Sequence, residues 1–254
     1  MFTEKVVLVT GGSSGIGAAT AIKFCKNGAK VAIVGRNRNK LAKIETQCRA
    51  NGGEIVVIIA DLSKPNDIKR VIDDTIEHFG KLDVLVNNAG VGCFASIASD
   101  NAMEEFDKTM AVNLRAAVYL IHLALPHLIK TKGNIVNISS IASTAVLFET
   151  NFSYCTSKAA LDHFTRSIAL ELAPKGIRVN SINPGPVKTD FLDTITPNKE
   201  DQEKYQEMIE KRTALGKQSD ANEIADLIMY VASDKAHSIT GSAFVIDNGM
   251  LIKV

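Results

Sequence analysis

The chain has 254 residues, 46% of them apolar, and a formal net charge of +1 without a long run of one sign. This length and apolar content allow one domain with a sizeable core, and the near-neutral balance argues against a nucleic-acid footprint or an acidic partner. No segment reaches the roughly eighteen uninterrupted apolar residues of a membrane span, and the opening "MFTEKVVLVT" lacks the pattern of a signal peptide.

In chain order, "KVVLVT" (5–10) reads as a strand, and residues 15–27 read as a helix ending at Gly28. The second strand, "KVAIVG" (30–35), runs into the basic cluster "VGRNRNK" (34–40), and "EIVVIIA" (54–60) follows as the third. A helix over 66–79 stops near Gly80, and "LDVLVNNA" (82–89) is the fourth strand. Residues 103–131 carry a longer helical pattern that Pro126 should kink or divide. "NIVNISS" (134–140), "IRVNSINPG" (177–185) and "AFVIDNG" (243–249) complete seven strands, and the helix after the fifth opens with "SYCTSKAALDHFTRSIALELAPKG" (153–176).

The first strands are β-branched and nearly continuous, as expected where helices cover both faces. Strand–helix alternation predicts an α/β fold: one doubly wound, Rossmann-like domain over 1–254, with about seven parallel strands. The charged, proline-punctuated stretch 186–215 reads either as a substrate lid or as a solvated surface excursion.

The turn "TGGSSGIG" (10–17) lies between the first strand and its helix. Gly11, Gly15 and Gly17 there allow a tight turn, close approach to a pyrophosphate and close helix packing. The helix dipole and unpaired N–H groups point at the same place, so dinucleotide binding is expected. In such a sheet the chemistry belongs beyond the carboxyl ends of the strands, where "NNAG" (87–90) and "NISS" (137–140) fall.

Tyr154 and Lys158 are four residues apart and share one helix face. An isolated phenol, with a pKa of about 10, is a poor acid–base partner near neutrality. A neighbouring ammonium is expected to favour the phenolate and lower that value, so that the tyrosine exchanges a proton with a carbonyl or alcohol oxygen. The histidines do not form a metal site: His122 and His127 are five apart, not at ligand spacing, and catalysis without metal is expected. Cys25, Cys48, Cys93 and Cys155 have no CxxC spacing, which predicts free thiols in a cytoplasmic protein.

TGxxxGxG, NNAG, a strand-end serine and YxxxK occur in order over nearly the whole chain, and in this the sequence resembles the short-chain dehydrogenase/reductase family. The resemblance implies Tyr154 as catalytic acid/base and Lys158 as pKa modifier and nicotinamide-ribose ligand. It implies Asn113 in a water-linked proton relay and Ser140 as the group that orients the substrate oxygen. Ser140 stands one residue further from Tyr154 than the family's usual spacing, which leaves Ser139 and Ser143 as alternatives.

Cofactor contacts implied in the same way are Ser13, Ser14 and Ile16 in the glycine turn, Asp61 with Leu62 at the adenine edge, and Asn87, Ala89 and Gly90 beside the adenine ribose. Pro184, Gly185, Val187 and Thr189 would flank the nicotinamide, and "DNG" (247–249) replaces a more usual "DGG". Gly35 stands where members preferring NAD carry an acid, and Arg36, helped by Asn37, offers a fork to a 2′-phosphate. NADP(H) is therefore the expected cofactor with NAD(H) as the alternative, although Ser14 replaces the basic residue many such relatives carry. Arg38 and Lys40 read as solvated or as long-range helpers.

A rim of Phe94, Val146, Leu147, Phe148, Phe152, Phe191 and Leu192 suggests an apolar pocket for a lipophilic ketone or secondary alcohol. The expected activity is carbonyl reduction or the reverse, by a homodimer or homotetramer. The rival readings are an NAD-dependent alcohol dehydrogenase on the same fold and a nucleotide sensor without turnover.

Overall fold

The computed structural model describes residues 2–92, 95–147, 149–190 and 198–253. Cys93, Phe94, Phe148, Phe191 and Leu192 lie outside the described residues. The strands are β1 (Val6–Thr10), β2 (Lys30–Gly35), β3 (Glu54–Ile59), β4 (Val84–Asn87), β5 (Asn134–Ile138), β6 (Arg178–Pro184), β7 (Val187–Lys188), β8 (Ser219–Asp220) and β9 (Ala243–Ile246). Seven form a parallel sheet in the order β3-β2-β1-β4-β5-β6-β9, while β7 and β8 pair separately.

The helices are α1 (Gly15–Lys26), α2 (Arg38–Ala50), α3 (Pro65–Phe79), α4 (Ala102–Met110), α5 (Ala116–Thr131), α6 (Phe152–Leu172), α7 (Lys199–Arg212) and α8 (Ala221–Ala232). Alternate residues of each strand face opposite layers, because side chains in a strand repeat every two residues. Val7 and Val9 join Phe24 of α1, Leu41 of α2 and Ile228 of α8 in one core. Val6 and Leu8 join Ile68 of α3, Leu120 of α5 and Leu172 of α6 in the other. The doubly wound expectation holds, with helices on both faces.

Pro126 does not divide its helix: α5 runs through it to Thr131. Its flanking residues Ala124 and Leu128 are wholly buried, so packing holds a turn that lacks one ladder hydrogen bond. The irregularity comes earlier, as a π turn over Ala111–Arg115 between α4 and α5. The joined helix Ala102–Thr131 is long and apolar enough, by length and composition, to cross a membrane. Here it buries Ala116, Leu120, Ile121, Ala124 and Leu128 in the core.

The strand order reverses between β1 and β4, the place where ligands bind in such sheets. Register then sets which loops meet. Val9 pairs with Val86, so the turn after β1 lies beside Asn87 and Asn88. Gly35 pairs with Ile59, and Ala60 N donates to Gly35 O at 3.0 Å, so Arg36 emerges beside Asp61. Ile138 pairs with Ile182, which brings Ser139 and Ser140 to Asn183.

Candidate active site

The glycine turn is built by close contact. A Cβ on Gly17 would stand 2.2 Å from Gly11 O, closer than any side chain tolerates. Gly15 has φ +54° and lies under Thr189, whose Cγ2 a Cβ would meet at 2.9 Å. Asn88 Nδ2 donates to Thr10 O at 2.9 Å and Gly11 O at 3.2 Å, while Thr10 Oγ1 accepts from the backbone N–H of Asn88 and Ala89. Ser14 occupies the N-cap of α1 without a side-chain capping bond, and no acid lies in the first turn. The positive end of α1 thus stays available to an anion.

One cleft of about 400 Å³ joins this turn to the far ends of β4, β5 and β6. Of the expected cofactor residues, Gly11, Ser13, Ser14, Gly15, Ile16, Arg36, Asp61, Leu62, Ala89 and Gly90 line it. So do Tyr154, Lys158, Pro184, Gly185, Val187 and Thr189. Burial pushes the Asp61 carboxyl up, but bonds from the Ser63 amide and hydroxyl and the charges of Arg36 and Lys64 outweigh it and hold it below its ordinary value.

Three expected contacts do not line the cleft: Asn87, Asn37 and Gly17, which packs against Gly11. The Asn87 side chain turns into the sheet, where Nδ2 donates to Asn137 Oδ1 at 2.9 Å, and the next residue, Asn88, takes the cleft. Strand alternation is the reason: Asn87 is the last residue of β4 and points inward. Asn37 caps α2, accepting from Lys40 N at 3.0 Å, and does not line the cleft. Lys40, read as solvated, pairs with Asp190 at 2.6 Å and ties α2 to the segment after β7.

At the other end, α6 delivers Tyr154 and Lys158. Lys158 is 4% exposed; its Nζ donates to Ile138 O at 2.8 Å and stands 5.6 Å from the centre of the Tyr154 ring. Burial lowers the Lys158 pKa to about 8, against the opposing charge of Asp162. Tyr154 corrects the expectation. Burial pushes its phenol up to about 12, only partly offset by a hydrogen bond from Ser140, and the Lys158 charge is not among the causes. Desolvation penalises the phenolate more than the neighbouring groups stabilise it.

The three serines differ in what they touch. Ser140 is hydrogen-bonded to Tyr154 through its side chain. Ser139 is buried, with its hydroxyl donating to Lys158 O at 3.2 Å, and Ser143 Oγ accepts from Asn183 Nδ2 at 3.0 Å. Asn113 sits in the π turn, where Oδ1 accepts from Val91 N at 2.8 Å and Nδ2 donates to Val91 O and Ser157 Oγ. Its side chain thereby fixes the segment after Gly90 against α6.

The apolar rim is only partly as expected. Leu147 lines the cleft, but Val146 is 81% exposed, and Phe152 stacks on Phe106 of α4 with ring centres 6.2 Å apart. Ile141, Tyr205, Ile209 and Met250 supply the remaining apolar wall. Tyr205 and Ile209 share a face of α7 at i,i+4, a spacing visible in the sequence, but nothing local says which surface that face meets. In the DNG segment, Asn248 adopts φ +53° and its Nδ2 donates to Ser219 Oγ at 2.9 Å, so asparagine holds a left-handed position that glycine would take without strain.

Comparison with known proteins agrees with this geometry. A family model described as enoyl-(acyl carrier protein) reductase matches residues 11–251. An uncharacterized oxidoreductase of Thermotoga maritima is 38% identical over 98% of both chains. A glucose 1-dehydrogenase of Gluconobacter oxydans is 34% identical over 99% of this chain and 93% of its own. The crystal structure of a short-chain dehydrogenase/reductase from Caenorhabditis elegans, solved with cofactor, superposes with a TM-score of 0.94 at 33% identity, covering 100% of this chain and 97% of the other.

The doubly wound sheet and the matches together define an oxidoreductase. The chain belongs to the short-chain dehydrogenase/reductase family, whose members use a nicotinamide cofactor.

Proposed function

We propose that the protein interconverts a lipophilic ketone and a secondary alcohol, chiefly by carbonyl reduction, with NADP(H) preferred over NAD(H). The observation that carries this reading is the continuity of one cleft from the uncapped glycine turn and Arg36 to Ser140, Tyr154 and Lys158. The bound nicotinamide would supply the hydride. Gly11 to Gly17 and the N-terminus of α1 would hold the pyrophosphate, Asp61 the adenine edge, and Lys158 the nicotinamide ribose.

Tyr154 then protonates the substrate oxygen as its carbon is reduced, and Ser140 orients that oxygen. With a phenol near 12 and an ammonium near 8, both groups are protonated at neutrality, the state that donation to a carbonyl oxygen requires. Asn113, bonded to Val91, holds the wall behind Gly90 and serves the relay from there. The stretch 186–215 acts as the substrate segment of the single domain 1–254, since Val187, Thr189, Asp190, Tyr205 and Ile209 line the cleft.

The NADP(H) preference rests on position 35. A Cβ there would make only ordinary contact with Ser13, at 3.4 Å, and the backbone is not left-handed, so geometry does not demand glycine. What its presence does is remove an acid that would repel a 2′-phosphate, beside the exposed Arg36. A homodimer or homotetramer fits the exposed Leu170 on α6, Val245 on β9 and Ile252 near the C-terminus.

The test is a panel of ketones and alcohols followed by NADPH or NADH consumption. NADPH-dependent turnover that falls by roughly 10²–10⁴-fold in Tyr154→Phe supports the reading. Equal kcat/KM with both cofactors would remove the preference. Tight NADPH binding without turnover across the panel would favour a sensor.

A further inference from the structure

Asn183, the next-to-last residue of β6, is buried, and its carboxamide is where the serine turn after β5 meets α6. Nδ2 donates to Asp162 Oδ2 at 2.6 Å, to Ser143 Oγ at 3.0 Å and to Ser140 O at 3.2 Å. An amide nitrogen carries two N–H groups, so these three acceptors share two donors. On the other side, Asn183 Oδ1 accepts from Ser181 Oγ at 3.0 Å. Ser181 lies two residues back on the same strand face and is buried as well. Its hydroxyl and the acceptor-only Asp162 carboxylate together fix which way the amide faces.

Three distant segments converge here. Ile138 pairs with Ile182, so Asn183 stands one residue past the last β5–β6 pair, opposite the turn that begins at Ser139. Helix α6 packs against β6, and Asp162 follows Lys158 by four residues and Tyr154 by eight, on one helix face. Ser140 caps the short 3₁₀ turn Ile141–Ser143, its Oγ accepting from Ala142 N at 3.1 Å. The Ser140 hydroxyl is thus oriented by its own turn. That turn in turn is held at both ends, at Ser140 O and Ser143 Oγ, by one side chain.

We propose that Asn183 is a positioning residue for the reaction: anchored on Asp162 of the helix that carries Tyr154, it holds the serine turn so that the Ser140 hydroxyl meets both the phenol and the substrate oxygen. Asn183 does not itself line the cleft, so its effect passes through Ser140. The anchoring bond is to a carboxylate and buried, which makes it one of the stronger kind. A misplacement of about 1 Å at a reacting group costs up to roughly 10²-fold in rate, so the clamp matters to turnover beyond its share of stability. The inference rests on Ser140 orienting the substrate oxygen within the carbonyl-reductase reading.

The test is a double-mutant cycle of wild type, Asn183→Leu, Ser140→Ala and the double variant, reading kcat and KM with NADPH and the best ketone of the panel, NADPH Kd, and Tm. With Ser140 present, Asn183→Leu should lower kcat roughly tenfold and leave KM and NADPH Kd nearly unchanged. In the Ser140→Ala background the same change should cost no more than about twofold, because the two residues act as one unit. Leucine leaves the Asp162 carboxylate without this partner, so Tm falls alike in both backgrounds and cannot imitate the coupling. Where Asn183→Leu does not fold, Asn183→Thr, which keeps one donor and suits a strand, takes its place. Equal kcat losses in both backgrounds overturn the inference and assign Asn183 to packing, as does an unchanged kcat in Asn183→Leu. Wild-type turnover in Ser140→Ala would refute the inference and leave carbonyl reduction standing; no turnover of any ketone by the wild type would remove both.

Discussion

The Lys158 ammonium donates to the carbonyl oxygen of Ile138 at 2.8 Å, which pins the middle of α6 to the last residue of β5. The bond keeps a charge in a buried place, and burial lowers the lysine to about 8 from its ordinary 10.5. Tyr154 moves the opposite way, to about 12 from 10. Between about pH 8 and 10.5 the unfolded chain binds more protons at Lys158 than the native one, so stability rises with pH. Between about 10 and 12 the native chain holds the Tyr154 proton that the unfolded one has lost, so stability falls. Each effect is about 3 kcal/mol. Unfolding measured against pH for wild type, Lys158→Met and Tyr154→Phe should show the rise missing in the first variant and the fall missing in the second.

Asp162 lies one further turn along the same helix, and its Oδ2 accepts from Asn183 Nδ2 at 2.6 Å. Its charge opposes the lowering of Lys158. Asp162→Asn should let the lysine fall further, moving its limb in the pH profile of kcat/KM to lower pH by about one unit. A lower rate with an unmoved limb would mean that Asp162 acts only through packing.

Ser140 and Ser139 should separate cleanly. Ser140→Ala removes the hydroxyl bonded to Tyr154, and kcat/KM is expected to fall roughly 10²-fold. Ser139→Ala removes a bond to the Lys158 carbonyl, at a stability cost of about 1 kcal/mol, and leaves most of the turnover. The reverse ranking would move the catalytic role to Ser139.

Arg36→Ala should weaken NADPH binding by about 2 kcal/mol, roughly thirtyfold, while NADH binding changes little. Titration of both cofactors checks this, and parallel losses would argue against a phosphate contact. The same variant removes a charge that lowers the Asp61 pKa, which should move upward.

Much of this was legible in the residues because it depends on near neighbours. Strand runs, the glycine turn and the i,i+4 placement of Tyr154 and Lys158 follow from local periodicity, and all lie where the pattern puts them. The exceptions have local causes that only the fold reveals. Asn88 replaces Asn87 because of strand alternation at the end of β4, and helix α5 passes through Pro126 because its flanks are packed on the sheet.

By itself the sequence determined the class of fold, the glycine turn and the tyrosine–lysine pair, since backbone preference and side-chain spacing are set within a few residues. Only the tertiary structure decided that Ser140 rather than Ser139 meets Tyr154, and that the phenol is pushed up rather than down. It also decided that Tyr205 and Ile209 of α7 and the C-terminal Met250 join Ile141 and Leu147 in the cleft wall. Burial and convergence are sums over distant segments, and in this chain those segments meet only when β7 pairs with β8 and α6 packs against β6.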